Sequence, residues 1–378
     1  MFQSTINYNK LSLLSLAAIL LLSSCKSEVV SESYFTFDAP SLTIEHILTI
    51  EDTPEHQIGD FYEFSLDSKG RFFIPDEALN KIHVFDDEGN LITTIGREGR
   101  GPGEFQRIVL SISPKDELFA LDSQLFRTQQ FVEHAGNWNL AHIFDIQREG
   151  MSFPLRAVSI DDTSILIEFL TAYSINPDSE KKSPFIRLIQ PDGTLLIDKV
   201  AELQQRDVLV VRTPTSVSVR PHPFGSEQHV FYKENVIYHA WGGGFDVLRT
   251  TVQDGASSTD TLFSHRIPSI PITSTDWQKA FAEFEFEDEF KRVARESEVA
   301  HKSKLLGLAV DDLNRIWIKR NVDEGVPNWA VFSETGILLL MATLPDRFRI
   351  MDIRENHIYG IYANEFDVSQ VQVLRISE

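Results

Sequence analysis

The chain has 378 residues, with 56 Asp and Glu against 35 Lys and Arg, for a formal charge of −21. That acidic surplus opposes non-specific binding to DNA or RNA, which needs a basic surface to displace counterions, so nucleic acid is excluded as a partner. The single cysteine leaves no intramolecular disulfide, and packing alone must hold the fold.

At the start of the chain, Lys10 precedes an apolar run from Leu11 to Leu22 that is too short for a membrane span and reads as a signal peptide. Leu22-Ser23-Ser24-Cys25 follows and resembles the lipobox of bacterial lipoproteins. The resemblance implies cleavage before Cys25, lipidation of its thiol, palmitate included, and a domain anchored to the membrane without crossing it. Lys26, where an aspartate would direct retention, implies the outer membrane of a diderm envelope. The expected organisation is a signal peptide over residues 1–25, a tether over 26–41 and one folded unit over 42–378. Roughly 350 mature residues exceed the usual single domain, but repeat-built folds reach this size as one unit.

From Phe61 to Phe105 four short β-rich stretches are punctuated by Gly70, Asn80, Gly89-Asn90 and Gly96. Ile82 and Val84 alternate with His83 and Phe85, so both faces of this antiparallel sheet carry bulky groups and need a neighbour on each side. Weaker copies recur about every 40 to 50 residues, the period of a β-propeller. They begin near Val109, Leu155, His229, Leu305 and Phe348. The last copy has three strands. Leu42 to Ile50 supplies the fourth, closing the ring so that no sheet edge is left open. The predicted fold is all-β: a six-bladed β-propeller of four-stranded antiparallel blades, closed by an N-terminal strand, with one helical insertion.

That insertion is read over about 274–304, where Gly and Pro vanish and Ser274 or Thr275 offers an N-cap. Trp277, Phe281 and Phe284 fall at helical spacing, as do Phe286, Phe290 and Val293, which indicates a bend or two helices. Two placements remain open: packed on a blade edge, or a lid over one face of the ring.

The stretch Phe73 to Phe105, with Ile82-His83-Val84-Phe85-Asp86, Ile95-Gly96-Arg97 and Gly101-Pro102-Gly103-Glu104-Phe105, resembles the NHL-type six-bladed propeller lipoproteins of Bacteroidetes-like bacteria. Arg315-Ile316-Trp317-Ile318 and His357-Ile358-Tyr359-Gly360 agree with it. These are turn and packing residues, so the resemblance implies the fold and is silent on activity.

No motif names a catalytic residue, a metal ligand or a cofactor. The glycines from Gly96 to Gly103 lead into a strand rather than a helix and read as an inter-blade turn. Asp86-Asp87-Glu88-Gly89-Asn90 lacks the spacing of a calcium loop and reads as a turn. The residues that could bind a carboxylate, a sulfate or a sugar are Arg212, Arg220 and His222, on a Pro-interrupted loop between Gln204 and His229, with Trp241 beside three glycines and Trp277 of the insertion. Two function classes follow. One is a lipid-anchored, non-catalytic binding or assembly module for a peptide, a glycan or an envelope protein. The alternative is a metal-dependent lyase or hydrolase whose groups meet in the central channel, as in other propeller enzymes.

Overall fold

The computed structural model describes residues 34–52, 57–59, 61–147, 152–161, 164–171, 183–190, 193–283, 287–323 and 325–377. Cys25 and Lys26, and the signal read over residues 1–25, lie outside them. The described chain is a six-bladed β-propeller.

Blade 1 comprises Ser65–Leu66, Phe72–Asp76, Lys81–Phe85 and Leu91–Ile95, and blade 2 comprises Ile108–Ile112, Leu118–Asp122, Arg127–His134 and Asn137–Asp145. Blade 3 is built from Ser152–Asp161, Ser164–Thr171, Phe185–Ile189 and Leu195–Glu202, and blade 4 from Gln228–Lys233, Val236–Trp241, Asp246–Gln253 and Ala256–Ser264. Leu305–Val310, Ile316–Arg320, Trp329–Phe332 and Leu338–Ala342 form blade 5. Blade 6 joins Phe348–Arg354, His357–Ala363 and Ser369–Ser377 to the N-terminal strand Thr43–Ile50. That strand runs antiparallel to Ser369–Ser377, from Thr43 opposite Ser377 to Ile50 opposite Val371. Ends distant in sequence thus complete one sheet and leave no three-stranded edge.

The period-two alternation explains why the blades stack. In blade 1, Phe72, Ile74 and Phe85 pack with Ile361, Val371 and Val373 of blade 6. The intervening Phe73, Ile82 and Val84 pack with Leu110, Leu118 and Ala120 of blade 2. Burying each such side chain stabilises by roughly 1.5–3 kcal/mol.

Residues 34–42 run against blades 4 and 5. The Phe35 ring stacks on His265 at 3.9 Å, and the Arg320 guanidinium lies 3.8 Å above Phe37. Met341 N–H donates to Pro40 O and Leu42 N–H to Met341 O, both at 2.8 Å.

Two segments leave the ring. The stretch after blade 3, expected as a loop, is a hairpin of Val208–Arg212 and Val217–Pro221. Its prolines do not interrupt the pairing: Pro214 sits in the tip, closed by Thr213 N–H donating to Ser216 O, and Pro221 ends the second strand. After blade 4 come α1 (Ser274–Glu283) and α2 (Asp288–Arg295). The cap of α1 is Thr273, one residue before the expected Ser274 or Thr275. Its Oγ1 accepts from Asp276 N–H while Asp276 Oδ2 accepts from Thr273 N–H and Oγ1–H, a reciprocal pair that neither later residue could form with Asp276 three positions on. Leu209, Phe290 and Ala294 are buried together, with Trp277, Phe281 and Val293 packed around them. Phe284 and Phe286 lie outside the described residues. The helices therefore pack on the hairpin as a small cap.

Strand direction places that cap. Strands alternate within a blade, so the link from a fourth strand to the next first strand emerges on the same face as the turn between second and third strands. Hairpin and helices both occupy such links and share one face of the ring, called here the cap face.

Candidate functional site: the central channel

The first strands of all six blades line one central cavity of about 900 Å³. Among its lining residues, Glu63, Arg156, Glu227, His229 and Arg349 come from blades 1, 3, 4 and 6. Glu63 lies two residues and Glu227 one residue before their first strands and Arg349 is second in its strand, so these three lie toward the cap face. Lys233, Asp311, Asp312, Asp352 and Arg354 sit at or beyond the ends of their first strands, toward the opposite face.

In the cap-side half each carboxylate has its own donor. Leu110 N–H donates to Glu63 Oε1 at 2.6 Å, the Tyr232 hydroxyl donates to Glu168 Oε2 at 2.8 Å, and Glu227 pairs with Arg206 at 3.0 Å. Burial pushes the Glu63 carboxyl above the ordinary carboxylate value, against the pull of Arg156 and Arg349. His229 rests its Nε2 on Leu305 O at 3.2 Å, and burial holds its pKa below the usual histidine value although Glu227 opposes it. Burial also lifts the Tyr232 phenol well above its usual value, helped by Glu168. The Tyr232 ring lies 5.6 Å from the Arg156 guanidinium.

The arginines differ from the acids. Burial disfavours the Arg156 charge, but Glu168 and Glu63 outweigh it and hold its pKa above the ordinary arginine value. Burial followed by repulsion from Arg156 lowers the pKa of Arg349, with Glu63 and Glu227 opposing. Arg156 Nε is buried with no hydrogen-bond partner. Among the described residues no group of three or more His, Cys, Asp or Glu side chains is placed to hold a metal ion.

The binding residues expected from sequence lie on the cap face, and none lines the channel. His222 and Trp277 are brought together in the cap, and Arg220 lies on its exposed side. Arg220 lies 5.7 Å above Phe290, the His222 ring meets Trp277 edge-on at 5.5 Å, and His222 Nε2 reaches Ser297 Oγ at 3.0 Å. Arg212 is exposed where the first hairpin strand ends. Trp241 opens a turn closed by Gly244 N–H donating to Trp241 O. Beside it, a Cβ on Gly242 would fall 2.4 Å from Ser303 Oγ and 2.9 Å from Leu305 O, so the close backbone approach permitted by glycine is to this chain's own return from the cap.

The channel residues were not singled out from the sequence. Their only local signal is a charge at a position where a first strand is otherwise apolar, as in Phe348-Arg349-Ile350.

A protein-family profile described as 6-bladed beta-propeller matches residues 42–127. Curated proteins give no match. Solved structures similar to this chain include a Bacteroides fragilis protein named as exported, at 12% identity and TM-score 0.49, covering 89% of this chain and 95% of its own. A Bacteroides vulgatus protein at 9% identity and TM-score 0.48 covers 90% and 99%, and an Agrobacterium tumefaciens protein called a calcium-binding regucalcin at 8% and 0.45 covers 88% and 95%.

Proposed function

We propose that this propeller is a binding module of the cell envelope, tethered to the outer membrane by lipid on Cys25, whose central channel holds a small polar ligand such as a peptide or glycan fragment. The observation that carries the reading is the cap-side half of the channel, where charged side chains from four blades converge on a space of about 900 Å³. That volume suits a small molecule, and convergent polar groups in a concave, partly desolvated site are what fixes a ligand's orientation. The leader and Leu22-Ser23-Ser24-Cys25 support the anchoring.

Equilibrium dialysis of the domain lacking residues 1–25 against a metabolite extract, read by mass spectrometry, tests it. Wild type is expected to retain a defined small molecule saturably. Leu155→Trp, which fills the channel from a half-exposed position on its wall, should not. Equal retention by both proteins, or none by either, overturns the reading.

A second reading has a specific observation behind it: the raised Glu63 carboxyl and the lowered His229 are the kind of shifted groups that acid–base catalysts use. Conversion of the retained molecule into a new mass would favour this enzymatic reading over pure binding.

A further inference from the structure

We infer that the channel ligand carries a carboxylate, received in the cap-side half by Arg156 and Arg349. This rests on the channel being the binding site and adds the chemistry of its occupant.

The inference comes from comparing how the charges in that half are satisfied. Glu63 accepts from Leu110 N–H, Glu168 from the Tyr232 hydroxyl, and Glu227 from Arg206. A third cation on the wall, Lys319, donates to Asp346 O at 2.6 Å. Arg156 and Arg349 stand apart. Neither guanidinium makes a hydrogen bond or an ion pair with any described residue, and Arg156 Nε is buried without a partner.

The two guanidinium groups face the same space and repel each other; Glu168 and Glu63 hold the Arg156 charge by attraction without bonding to it, so its N–H donors stay open to the channel, as do those of Arg349. Buried donors left unsatisfied are costly, and such exceptions mark places where something else completes the bonding. The matching acceptor is an anion that offers two oxygens side by side, and a carboxylate is the smallest such group. A guanidinium presents parallel N–H donors that a carboxylate accepts two at a time. The remaining oxygens of Glu63 and Glu168 accept hydrogen bonds, so hydroxyl or ammonium donors on the same ligand would find partners close by. A neutral molecule could accept single hydrogen bonds here but would leave both arginine charges unbalanced.

Acetate is the minimal probe. In protein labelled at arginine, the Nε–Hε signals of Arg156 and Arg349 should shift saturably with acetate at constant ionic strength. Arg349→Gln, chosen because Arg349 is exposed and lines the channel, should weaken acetate at least tenfold. Absence of a saturable shift at either arginine, an equal shift with chloride, or undiminished acetate binding in Arg349→Gln overturns the inference. The dialysis separates this from failure of the wider reading. A neutral molecule retained by wild type and by Arg349→Gln but not by Leu155→Trp keeps the channel as the site and removes the carboxylate. Equal retention in Leu155→Trp removes the channel itself.

Discussion

The two ends of the channel carry similar numbers of charged side chains and treat them differently. At the end away from the cap, Lys233 Nζ donates to Asp311 O at 2.6 Å and Asn314 Oδ1 at 2.7 Å. Arg354 donates to Asp67 O at 2.8 Å and lies 3.5 Å from Asp352 Oδ2, and Asp352 accepts from Ile353 N–H. These contacts stitch blade 4 to blade 5 and blade 6 to blade 1. At the cap end the acids accept hydrogen bonds or an ion pair, while Arg156 and Arg349 make neither with any described residue. Cations that join blades serve the fold; the two that bond to no described residue beside an open cavity are the ones proposed to meet a ligand. Charge alone does not make a site. What distinguishes one is a charged donor that the protein itself leaves unbonded.

The largest expected effect lies at the stitched end. Asp311 is fully buried, and its carboxylate takes Leu313 N–H, Arg315 N–H, Arg315 Nε and the Trp317 indole N–H. Asp311→Ala removes the carboxylate that Arg315 and the buried Trp317 indole N–H share, and should cost about 3–5 kcal/mol in urea unfolding while acetate binding by the surviving folded fraction stays at wild-type strength. A large loss of acetate affinity with little loss of stability would break the comparison. Next comes a matched pair. Arg354→Met removes an inter-blade bond and should cost about 1–3 kcal/mol with acetate unaffected. Arg349→Gln should stay within about 0.5 kcal/mol of wild type in stability, with its whole effect on acetate.

The architecture was open to sequence reasoning because a blade advertises itself locally. Phe73, Ile82 and Val84 alternate with Phe72, His83 and Phe85, the turns carry glycine or asparagine, and strand and turn together set a period. Even the closure by Leu42 to Ile50 followed, since a three-stranded last copy demands a partner. The channel was hidden for the opposite reason. Glu63, Arg156 and Arg349 lie far apart along the chain and meet only through the rotation of the blades, so no spacing signals them. Arg220, His222 and Trp277 drew attention as polar and aromatic residues on an irregular stretch. His222 and Trp277 do meet, beside Ser297, and Arg220 lies over Phe290, where a helix needs packing. Thr273, Ser274 and Thr275 are all acceptable caps by residue type, and the partner that decides for Thr273 is Asp276, inside the helix.

A smaller effect sharpens the contrast through pH. Because burial raises the Glu63 carboxyl above 4.5, the folded chain holds this proton more tightly than the unfolded chain does. The stability from that proton is complete below the unfolded value and is lost as pH rises through the folded one. Glu63→Gln keeps an acceptor for Leu110 N–H and has no proton to lose. Relative to wild type the variant should therefore match at pH 4, gain stability as pH rises through the folded value, and keep a constant margin above it. Parallel stability curves would show that the cap-side acid is not held away from water as the structure has it.

The smallest effect separates the cap from the channel. Thr273 and Asp276 close the start of α1, and Asp276 also takes Lys302 Nζ at 2.7 Å, which together hold its carboxyl down at about 2. Thr273→Ala removes the hydroxyl that accepts Asp276 N–H and should cost about 1 kcal/mol. The loss should appear as faster amide exchange in α1, with amides of the blade 1 and blade 6 strands unchanged, because the cap's buried residues, Leu209, Phe290 and Ala294, pack among themselves and not with the ring. The Nε signals of Arg156 and Arg349 should respond to acetate as in wild type. If loosening α1 instead alters the acetate response, the cap is energetically part of the channel site, and its residues, Trp277 and His222 first, regain a role in what the channel admits.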